Sequence, residues 1–411
     1  MNNIKDISIN DFHYELPDER IALRPLIKRD ASKLLIYADN KINESVFSEI
    51  THFIKNESLL VFNNSKVIHA RLRFVKNTGS IIEVFCLEPA GPILDYAQVM
   101  TQTVKSEWNC MIGGVSKWKE SFLETETDNS GEKVILRATL ISKGTESCHV
   151  GFEWWPQEKS FAEILSIFGD VPLPPYIKRK TDELDPERYQ TIYAKEEGSV
   201  AAPTAGLHFS IEVFEKCKEK KIEKTFVSLH VGAGTFKPVK AERMEDHEMH
   251  SEWISVEKET IQRLMDQEGE IVAVGTTSLR TLESLYWLGV QVSQGPKINN
   301  PSIGQWDVYH SKMQSASMSK KEAFSNLLHW LNEKNKSKIF TQTQLLIAPG
   351  YTFRVADVLI TNFHQPKSTL LLLVAAAIGE DWRSCYDYAL KNDFRFLSYG
   401  DANLLRIVNK Y

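Results

Sequence analysis

The chain has 411 residues and a formal net charge of −5 at pH 7, and 42% of its residues are hydrophobic and 25% charged. These ordinary fractions exclude disorder over the whole length, and the length favours two or three domains over a single one. The negative net charge excludes a protein coated in positive potential, although a local basic patch could still contact phosphates.

No targeting or membrane segment is indicated. The first twenty residues contain no apolar stretch typical of a signal peptide, and the longest apolar run, residues 370–378, is far shorter than the ~20 residues that cross a bilayer. The five cysteines are widely spaced and form no Cys-x-x-Cys pair, which argues against a disulfide framework or a cysteine zinc site. We therefore expect a cytoplasmic protein without membrane contact.

The first part of the chain contains two regions with different sequence patterns. Up to residue 65, Pro17 stands where a short helix can begin, and the apolar runs "SKLLIY" and "SLLVFN" have the length of strands. From Lys66 to about residue 155, short β-rich runs are separated by Gly, Asn, Ser and Glu. Regular short strands with turn signals are typical of a small antiparallel barrel or sandwich, so residues 66–155 are predicted to form a separate all-β domain.

The remainder of the chain, residues 156–411, alternates strands with helices. The predicted strands are "KTFVSLHVG", "EIVAVG", "TQLLIAPG" and "VADVLITNFH"; the predicted helices are "SFAEILSIFG", "IEVFEKCKEKK", "TTSLRTLESLYWLG" and "KSTLLLLVAAAIG". This alternation favours an α/β sheet. Residues 291–341 look like an insertion, and Ser319 with Glu322 forms a capping box that opens a helix there.

The stretch "SVAAPTAGLHFS", residues 199–210, has no acidic or basic side chain. Pro203 fixes φ, Gly206 permits an otherwise costly backbone, and the small neighbours Thr204 and Ala205 would let a ligand approach the main chain. A helix starting near His208 would aim free N–H groups at an anion or a polar edge. The alternative is a tight connection packed against a sheet.

Three strand ends also carry candidate ligand contacts. The first is a glycine loop formed by Gly232, Gly234, Thr235 and Phe236. It lacks the third glycine of a dinucleotide fingerprint and could equally be a β-bulge or hairpin turn.

The second strand end leads into a helix that starts with Thr276 and Thr277. Their hydroxyls either cap the helix or hold a ribose, carboxylate or phosphate, and Arg280 follows one turn later. The third strand end combines the amide of Asn362, the imidazole of His364 and the ammonium of Lys367, where α/β sheets bind ligands.

The segment "EDHEMHSEW" places His247 and His250 three residues apart, where they could share a helix face. Two imidazoles with Glu252 could bind a metal, but the spacing is not His-Glu-x-x-His and no third histidine is nearby. A role for His250 or Glu252 as a base or a ligand contact is therefore favoured, because histidine titrates near neutrality.

Two further segments interleave basic, amide and aromatic side chains. Lysines and arginines there could meet phosphates, and tyrosines could stack on bases, although tyrosines half-buried in a core are an equal alternative. The predicted RNA contacts are Asn63, Lys66, Arg71, Tyr176, Lys178, Arg179, Lys180, Tyr189, Gln190 and Tyr193.

The order of these segments is more specific than any one of them. Between Asp11 and Leu405, the chain resembles the S-adenosylmethionine:tRNA ribosyltransferase-isomerase family of the queuosine pathway. The blocks that carry the resemblance are "DFHYELPDERIA", "RDASKLL", "VFNNSKVIHARL", "PLPPYIKR", "RYQTIYA", "VAAPTAGLHF", "LHVGAGTFKPV", "DHEMHSEW", "AVGTTSLRTLES", "PGYTFRVADVLITNFHQPKSTLLLLV" and "FRFLSYGDANLL".

The resemblance implies an α/β (α+β mixed) fold in which a mixed-sheet domain, residues 1–65 and 156–411, is interrupted by a small antiparallel β-barrel domain, residues 66–155. It implies transfer of the ribosyl part of S-adenosylmethionine to 7-aminomethyl-7-deazaguanine at the wobble position of a tRNA. Epoxyqueuosine forms, and adenine and methionine leave. No metal or redox cofactor is implied, S-adenosylmethionine is consumed as a co-substrate, and we expect a monomer.

This chemistry assigns roles to the candidate residues. A base must remove a proton next to the sulfonium, and the sequence leaves it open among His208, His230, His250 and His364. Exchanging His208 for alanine is expected to abolish turnover without disturbing the fold. Arg280 is expected to bind the carboxylate of methionine, and the small-residue loop, residues 201–206, to pack against the nucleoside.

Two departures from the family keep alternatives open. Residues 291–341 are longer than expected and could dock another protein, and "EWNCMIGGVSKWKES" lacks the basic character expected of the barrel. The chain could therefore be a paralogous S-adenosylmethionine- or nucleotide-using enzyme that acts on a different base, or a non-catalytic RNA-binding protein.

Overall fold

The computed structural model describes residues 4–145, 147–232, 239, 241–295 and 298–410. Its strands are β1 Lys33–Ala38, β2 Lys41–Val46, β3 Leu59–Asn63, β4 Ser65–Val67, β5 Arg71–Val75, β6 Ile81–Pro89, β7 Lys105–Gly113, β8 Leu123–Asn129, β9 Glu132–Lys143, β10 Cys148–Trp155, β11 Gly169–Asp170, β12 Glu196–Ser199, β13 Glu223–His230, β14 Glu252–Glu257, β15 Ile271–Val274, β16 Lys338–Thr343, β17 Val358–Asn362 and β18 Ala402–Arg406.

The α-helices are α1 Tyr96–Met100, α2 Phe161–Phe168, α3 Asp185–Arg188, α4 Ile211–Glu219, α5 Lys258–Asp266, α6 Thr276–Ser293, α7 Ser311–Ser315, α8 Lys320–Glu333, α9 Thr369–Ile378 and α10 Asp381–Lys391. Local sequence explains several of their ends. Side chains of Ser160, Ser210, Ser319 and Ser368 cap α2, α4, α8 and α9, and the predicted capping box at Ser319 is confirmed. No helix in the described part of the chain is both long and apolar enough to cross a membrane.

A nine-stranded mixed sheet forms the larger layer, in the order β16-β14-β13-β3-β15-β17-β18-β1-β2. Its central strands β13, β3, β15 and β17 are mutually parallel, and β17 continues into an antiparallel pair with β18. The parallel strands therefore all bring their carboxyl ends to the same edge of the sheet, which is where open α/β sheets bind ligands.

Strand β3 shows why the centre of this sheet is apolar along its whole length. Leu59 and Val61 belong to the core on the side of α6, α8 and α9, whereas Leu60 and Phe62 belong to the core on the side of α4. Because both faces are covered, every position of the strand is buried, and alternation between polar and apolar residues disappears.

A separate antiparallel sheet of seven strands, in the order β11-β5-β6-β7-β10-β9-β8, curls into a half-barrel. Its core contains Trp108, Trp154 and, from α2, Phe161. No ladder joins β8 to β11 in the described residues, so the barrel is open. The predicted fold class, a mixed α/β protein with a separate antiparallel sheet, is confirmed; the domain boundaries at residues 65 and 155 stay a prediction.

Two local predictions are wrong. The run "TQLLIAPG" is not a strand beyond Thr343, because Leu345 and Leu346 are buried without ladder pairing and the chain runs irregularly to the turn at Gly350. The helix expected near His208 begins only at Ile211; a short 3₁₀ turn, Thr204–His208, precedes it. Apolar runs and small residues predict that a segment is buried, but they do not predict which backbone hydrogen bonds the segment forms.

The long segment at residues 291–341 belongs to the core of the larger layer. The apolar face of α8, including Phe324 and Leu327, is buried, and α8 crosses α6 where a Cβ on Gly289 would lie 2.1 Å from the Ala323 carbonyl oxygen. This apolar face is already covered by α6 and is not free to bind another protein, and docking by other parts of residues 291–341 stays a prediction.

Candidate active site

A large cavity of about 820 Å³ opens at the carboxyl edge of the parallel strands. Residues that follow β15 and β17 line it together with the small-residue loop and the segment before β14. Of the predicted site residues, it collects Tyr176, Tyr189, Pro203, Thr204, Ala205, His250, Glu252, Thr276, Thr277, Arg280, Asn362, His364 and Lys367. Distant segments therefore converge on one concave site of the size that binds small organic ligands.

The small-residue loop forms an uncharged wall of the large cavity. Ala201 to Ala205 line it, and Pro203 precedes the 3₁₀ turn. Gly206 does not line it and has no left-handed φ, so the expected reason for this glycine is wrong. Glycine is required because a Cβ there would lie 1.9 Å from the hydroxyl oxygen of Tyr193.

The start of α6 faces the large cavity. Gly275 is the N-cap residue with φ 91°, a left-handed value that favours glycine, and no side chain caps the helix. Ser278 instead donates to the Val274 carbonyl at 2.7 Å, and Thr277 accepts from the Asn63 amide at 3.3 Å. The alternative that these hydroxyls merely cap the helix is therefore wrong, and Gly275, Thr276 and Thr277 line the large cavity.

The charged residues Glu252 and Arg280 form a buried ion pair in the cavity wall. Burial lowers the pKa of Arg280 to about 10. The nearest anion to Arg280 is thus a carboxylate of the protein itself, which sequence spacing did not indicate. A ligand that meets this pair encounters one positive and one negative group side by side.

Two of the four candidate histidines line the large cavity. His364 is buried, its Nε2 lies 2.9 Å from the Thr361 hydroxyl, and burial lowers its pKa to about 3. His250 is exposed, and its ring makes no hydrogen bond in the residues that the structure describes. His250 also lies on an irregular segment, so the predicted shared helix face with His247 is wrong.

His208 lies behind the cavity wall, contrary to the expected contact with substrate. Its Nδ1 is 2.8 Å from the Ser32 hydroxyl, and its Nε2 accepts from the Asn362 amide at 3.1 Å. Burial, then the nearby Arg395, lowers the pKa of His208 to about 3. Both ring nitrogens are therefore engaged, and His208 orients Asn362, whose buried Oδ1 has no hydrogen-bond partner within the described residues.

His230 also lies outside the large cavity. It ends β13 and stacks on Tyr96 of α1, which belongs to the half-barrel core, with ring centroids 4.4 Å apart. Burial lowers its pKa to about 4. His230 is therefore packed against the half-barrel, and its catalytic role stays a prediction.

Most predicted RNA contacts are engaged elsewhere. Asn63 and Gln190 bond to backbone at Leu229 and Val67, and the hydroxyl of Tyr193 is buried. Lys180 is exposed, and Lys367, a predicted substrate contact, donates to the side-chain oxygen of Asn10. The other basic residues form ion pairs with carboxylates: Lys66–Glu197, Arg71–Glu83, Lys178–Asp18 and Arg179–Asp185. Tyr176 and Tyr189 do line the large cavity.

The glycine-loop prediction is only partly described. Gly232 follows β13 but does not line the large cavity, and Gly234, Thr235 and Phe236 lie outside the described residues. Sequence reasoning missed Ser398, which lines the cavity and bonds to the Tyr176 hydroxyl at 2.7 Å. The signal was the block "FRFLSYGDANLL", which carried the resemblance but no assigned role.

No group of three or more His, Cys, Asp or Glu side chains is placed to hold a metal in the part of the chain that the structure describes. The cavity instead offers an uncharged wall, an ion pair, an orphan amide oxygen and an accessible imidazole. These groups can bind a polar, largely neutral ligand and move a proton.

Comparisons with known proteins agree over almost the whole chain. A family model described as "Queuosine biosynthesis protein" matches residues 9–405. The S-adenosylmethionine:tRNA ribosyltransferase-isomerase of Thermotoga petrophila is 38% identical over 405 residues, 97% of this chain and 100% of that protein. The enzyme of the same name from Azoarcus sp. (strain BH72) is 36% identical over 403 residues and 97% of each chain. A crystal structure of the S-adenosylmethionine tRNA ribosyltransferase of Thermotoga maritima covers 96% of this chain and 99% of its own, with 28% identity and a TM-score of 0.45.

Proposed function

Because this chain belongs to the queuosine biosynthesis protein family, we propose that it is an S-adenosylmethionine:tRNA ribosyltransferase-isomerase. It moves the ribosyl moiety of S-adenosylmethionine onto 7-aminomethyl-7-deazaguanine at the wobble position of a tRNA. The product is epoxyqueuosine, and adenine and methionine are released. The observation that carries this proposal is the convergence of the small-residue loop, the start of α6 and the end of β17 on one cavity.

The uncharged wall suits the adenosine part of S-adenosylmethionine. Ala201, Ala202 and Pro203 present small apolar groups, against which a flat nucleoside can lie at van der Waals distance. The orphan Oδ1 of Asn362 is positioned to accept an N–H from a base, and leaving it unpaired costs about 1–3 kcal/mol. A bound base therefore gains both contact area and a hydrogen bond.

The ion pair suits the methionine end of the same molecule. Its carboxylate would bind Arg280 and its ammonium would bind Glu252, so a zwitterion meets complementary charges. Charged groups that are already paired in the free protein avoid the cost of an isolated buried charge.

His250 is the group that we assign to proton removal next to the sulfonium. It lines the cavity and its ring is not held by other side chains of the described chain. His364 is the second candidate, but burial lowers its pKa to about 3 and makes it a weaker base near neutral pH.

The remaining features of the proposal follow from this chemistry. Sulfonium and glycosidic bond cleavage need no electron transfer, so we propose no redox cofactor and, as the resemblance implies, no metal, with S-adenosylmethionine consumed as a co-substrate. We further propose that the enzyme acts in the cytoplasm, where its tRNA partner is found, and as a monomer.

Adenine release tests the proposal. The purified chain is incubated with S-adenosylmethionine and tRNA that carries either guanine or 7-aminomethyl-7-deazaguanine at the wobble position. Release only with the deazaguanine tRNA, with epoxyqueuosine in the product, is the expected result. Release with the free deazaguanine base would indicate a paralogue with another substrate, and tRNA binding without release would indicate a non-catalytic RNA-binding protein.

A further inference from the structure

A second, much smaller pocket adjoins the large cavity and is dominated by arginines. Arg29, Arg188 and Arg395 line it together with Ser32, His208 and Ser398, and we call it the arginine pocket. Its volume is about 20 Å³, so it has room for one compact group and not for a whole ligand. Two of its arginines come from the blocks "RDASKLL" and "FRFLSYGDANLL", to which the sequence assigned no function.

The positive charge of the arginine pocket is only partly compensated. Arg29 donates to the backbone carbonyls of Glu187 at 3.0 Å and Leu207 at 3.4 Å, and Arg188 donates to the carbonyls of Leu26 and of Ile27, the latter at 3.1 Å. Within the described residues, neither Arg29 nor Arg188 has a carboxylate in an ion pair, and only Arg395 does, with Asp401 at 3.1 Å.

The hydrogen-bonding capacity of the arginine pocket is also incomplete. The buried Nε of Arg188 has no hydrogen-bond partner in the part of the chain that is described. Burial, and then the charge of Arg188, lowers the pKa of Arg29, and the charge of Glu187 acts in the opposite direction, so Arg29 and Arg188 repel each other within the same pocket. An anion between them would relieve that repulsion and accept the free N–H.

The position of the arginine pocket identifies where such an anion comes from. Ser398 lines both the arginine pocket and the large cavity, and His208 connects the arginine pocket to Asn362 of the large cavity. A ligand whose base enters the large cavity therefore has its adjacent backbone within reach of the arginines.

We propose that the arginine pocket binds one backbone phosphate of the tRNA, next to the nucleotide whose base enters the large cavity. This inference rests on the proposed function, because it takes the ligand of the large cavity to be a wobble base. A carboxylate and a phosphodiester both offer two oxygens to a guanidinium fork, but only the phosphodiester is joined to the nucleotide whose base enters the large cavity. Single-stranded anticodon loops expose such phosphates.

The test is a neutral-linkage scan of an anticodon stem-loop. Each loop phosphate is replaced in turn by an uncharged methylphosphonate in an oligonucleotide that carries 7-aminomethyl-7-deazaguanine at the wobble position. Wild-type protein should lose affinity about fivefold at about 0.1 M salt when one linkage beside the wobble nucleotide is neutral, the worth of one phosphate contact. If neutralising each linkage beside the wobble nucleotide leaves the affinity of the wild-type protein unchanged, the proposal is overturned, and no variant is needed to show it.

A matched pair of variants assigns the contact to the arginine pocket. Arg29→Gln should bind the stem-loop with all phosphates charged about fivefold more weakly than wild type, and its affinity should depend less steeply on salt. Neutralising the sensitive linkage should cause this variant no further loss of affinity. Arg29→Lys should keep the salt dependence. Arg263→Gln, whose ion pair with Glu223 lies at the start of β13, is the control and should behave as wild type. Equal sensitivity of Arg29→Gln and wild type to that linkage would overturn the proposal.

Failure of the proposed function looks different. If wild-type protein binds the stem-loop but releases no adenine from S-adenosylmethionine, the enzymatic assignment fails whatever the scan shows. If adenine is released and the scan finds no sensitive linkage, the phosphate contact alone fails.

Discussion

The large cavity and the arginine pocket share Ser398 in their linings, but they differ in whether their arginines are paired with carboxylates. In the large cavity, Arg280 is paired with Glu252, and the wall formed by residues 201–205 carries no charge. In the arginine pocket, Arg29 and Arg188 have no carboxylate in an ion pair among the described residues. An uncharged wall beside an internal ion pair suits neutral bases and a zwitterion, whereas arginines without a paired carboxylate suit an anion that arrives with the ligand.

The largest predicted effect separates the two histidines on either side of the cavity wall. His250→Ala should lower the rate constant of adenine release about 10²–10⁴-fold, the usual contribution of a general base. His208→Ala should lower it at most about tenfold, because His208 acts through a single hydrogen bond to Asn362. Single-turnover adenine release measures both.

The sequence alone predicts loss of turnover for His208→Ala and leaves the base open among four histidines. A His208→Ala protein with unchanged thermal unfolding and no turnover, next to an active His250→Ala protein, would return the base to His208 and contradict the placement argued from the structure.

The second effect contrasts a paired with an unpaired arginine. Arg280→Met leaves the buried Glu252 without its partner and should reduce the free energy of unfolding by about 3–5 kcal/mol. Arg29→Gln leaves no carboxylate behind and should cost much less. Urea unfolding of both proteins gives the comparison, and the double variant Arg280→Met with Glu252→Gln should recover part of the loss.

The third effect concerns the glycine at the end of the small-residue loop. Gly206→Ala should destabilise the fold by about 1–3 kcal/mol, because the new Cβ would clash with the Tyr193 hydroxyl oxygen at 1.9 Å. Tyr193→Phe should cost little by itself, since that hydroxyl is buried without a partner in the described chain. Thermal unfolding of the double variant should show partial rescue; equal losses in single and double variants would point to another cause.

The smallest effect is a dependence of stability on pH. His208 and His364 both have pKa values lowered to about 3, so below pH 6.5 the unfolded chain binds protons that the native chain does not. Stability is therefore complete above the unfolded pKa and falls as pH decreases towards 3. Each histidine should contribute a loss of about 1 kcal/mol between pH 7 and pH 5.5.

Glutamine variants check this sign. Replacing either His208 or His364 by glutamine should flatten the dependence of urea unfolding on pH by that amount, whatever its effect at pH 7. An unchanged slope in both variants would mean that the imidazoles titrate alike in the folded and unfolded chains.

Local features of the fold were predictable from the sequence. The capping box at Ser319 and the apolar runs of β3 and β17 follow from patterns within a few residues, and the structure confirms them. The apolar run after Thr343 was wrongly predicted to be a strand, because a buried segment that pairs with no other strand has the same composition as a buried strand.

The sequence predicted which strand ends form the site, but it did not predict the role of each side chain within the site. His208 owes its burial to Ser32 and Asn362, which are 176 and 154 residues away in sequence. Arg29, Arg188 and Arg395 likewise come from three distant segments. Such contacts depend on topology, and no spacing within a single sequence encodes them.

A crystal structure of the chain with S-adenosylmethionine would show directly whether the large cavity holds that molecule. The adenosyl group is expected against residues 201–205 and the methionine end beside Arg280 and Glu252. Density for the molecule in the half-barrel, or anywhere away from Pro203 and Thr276, would contradict it.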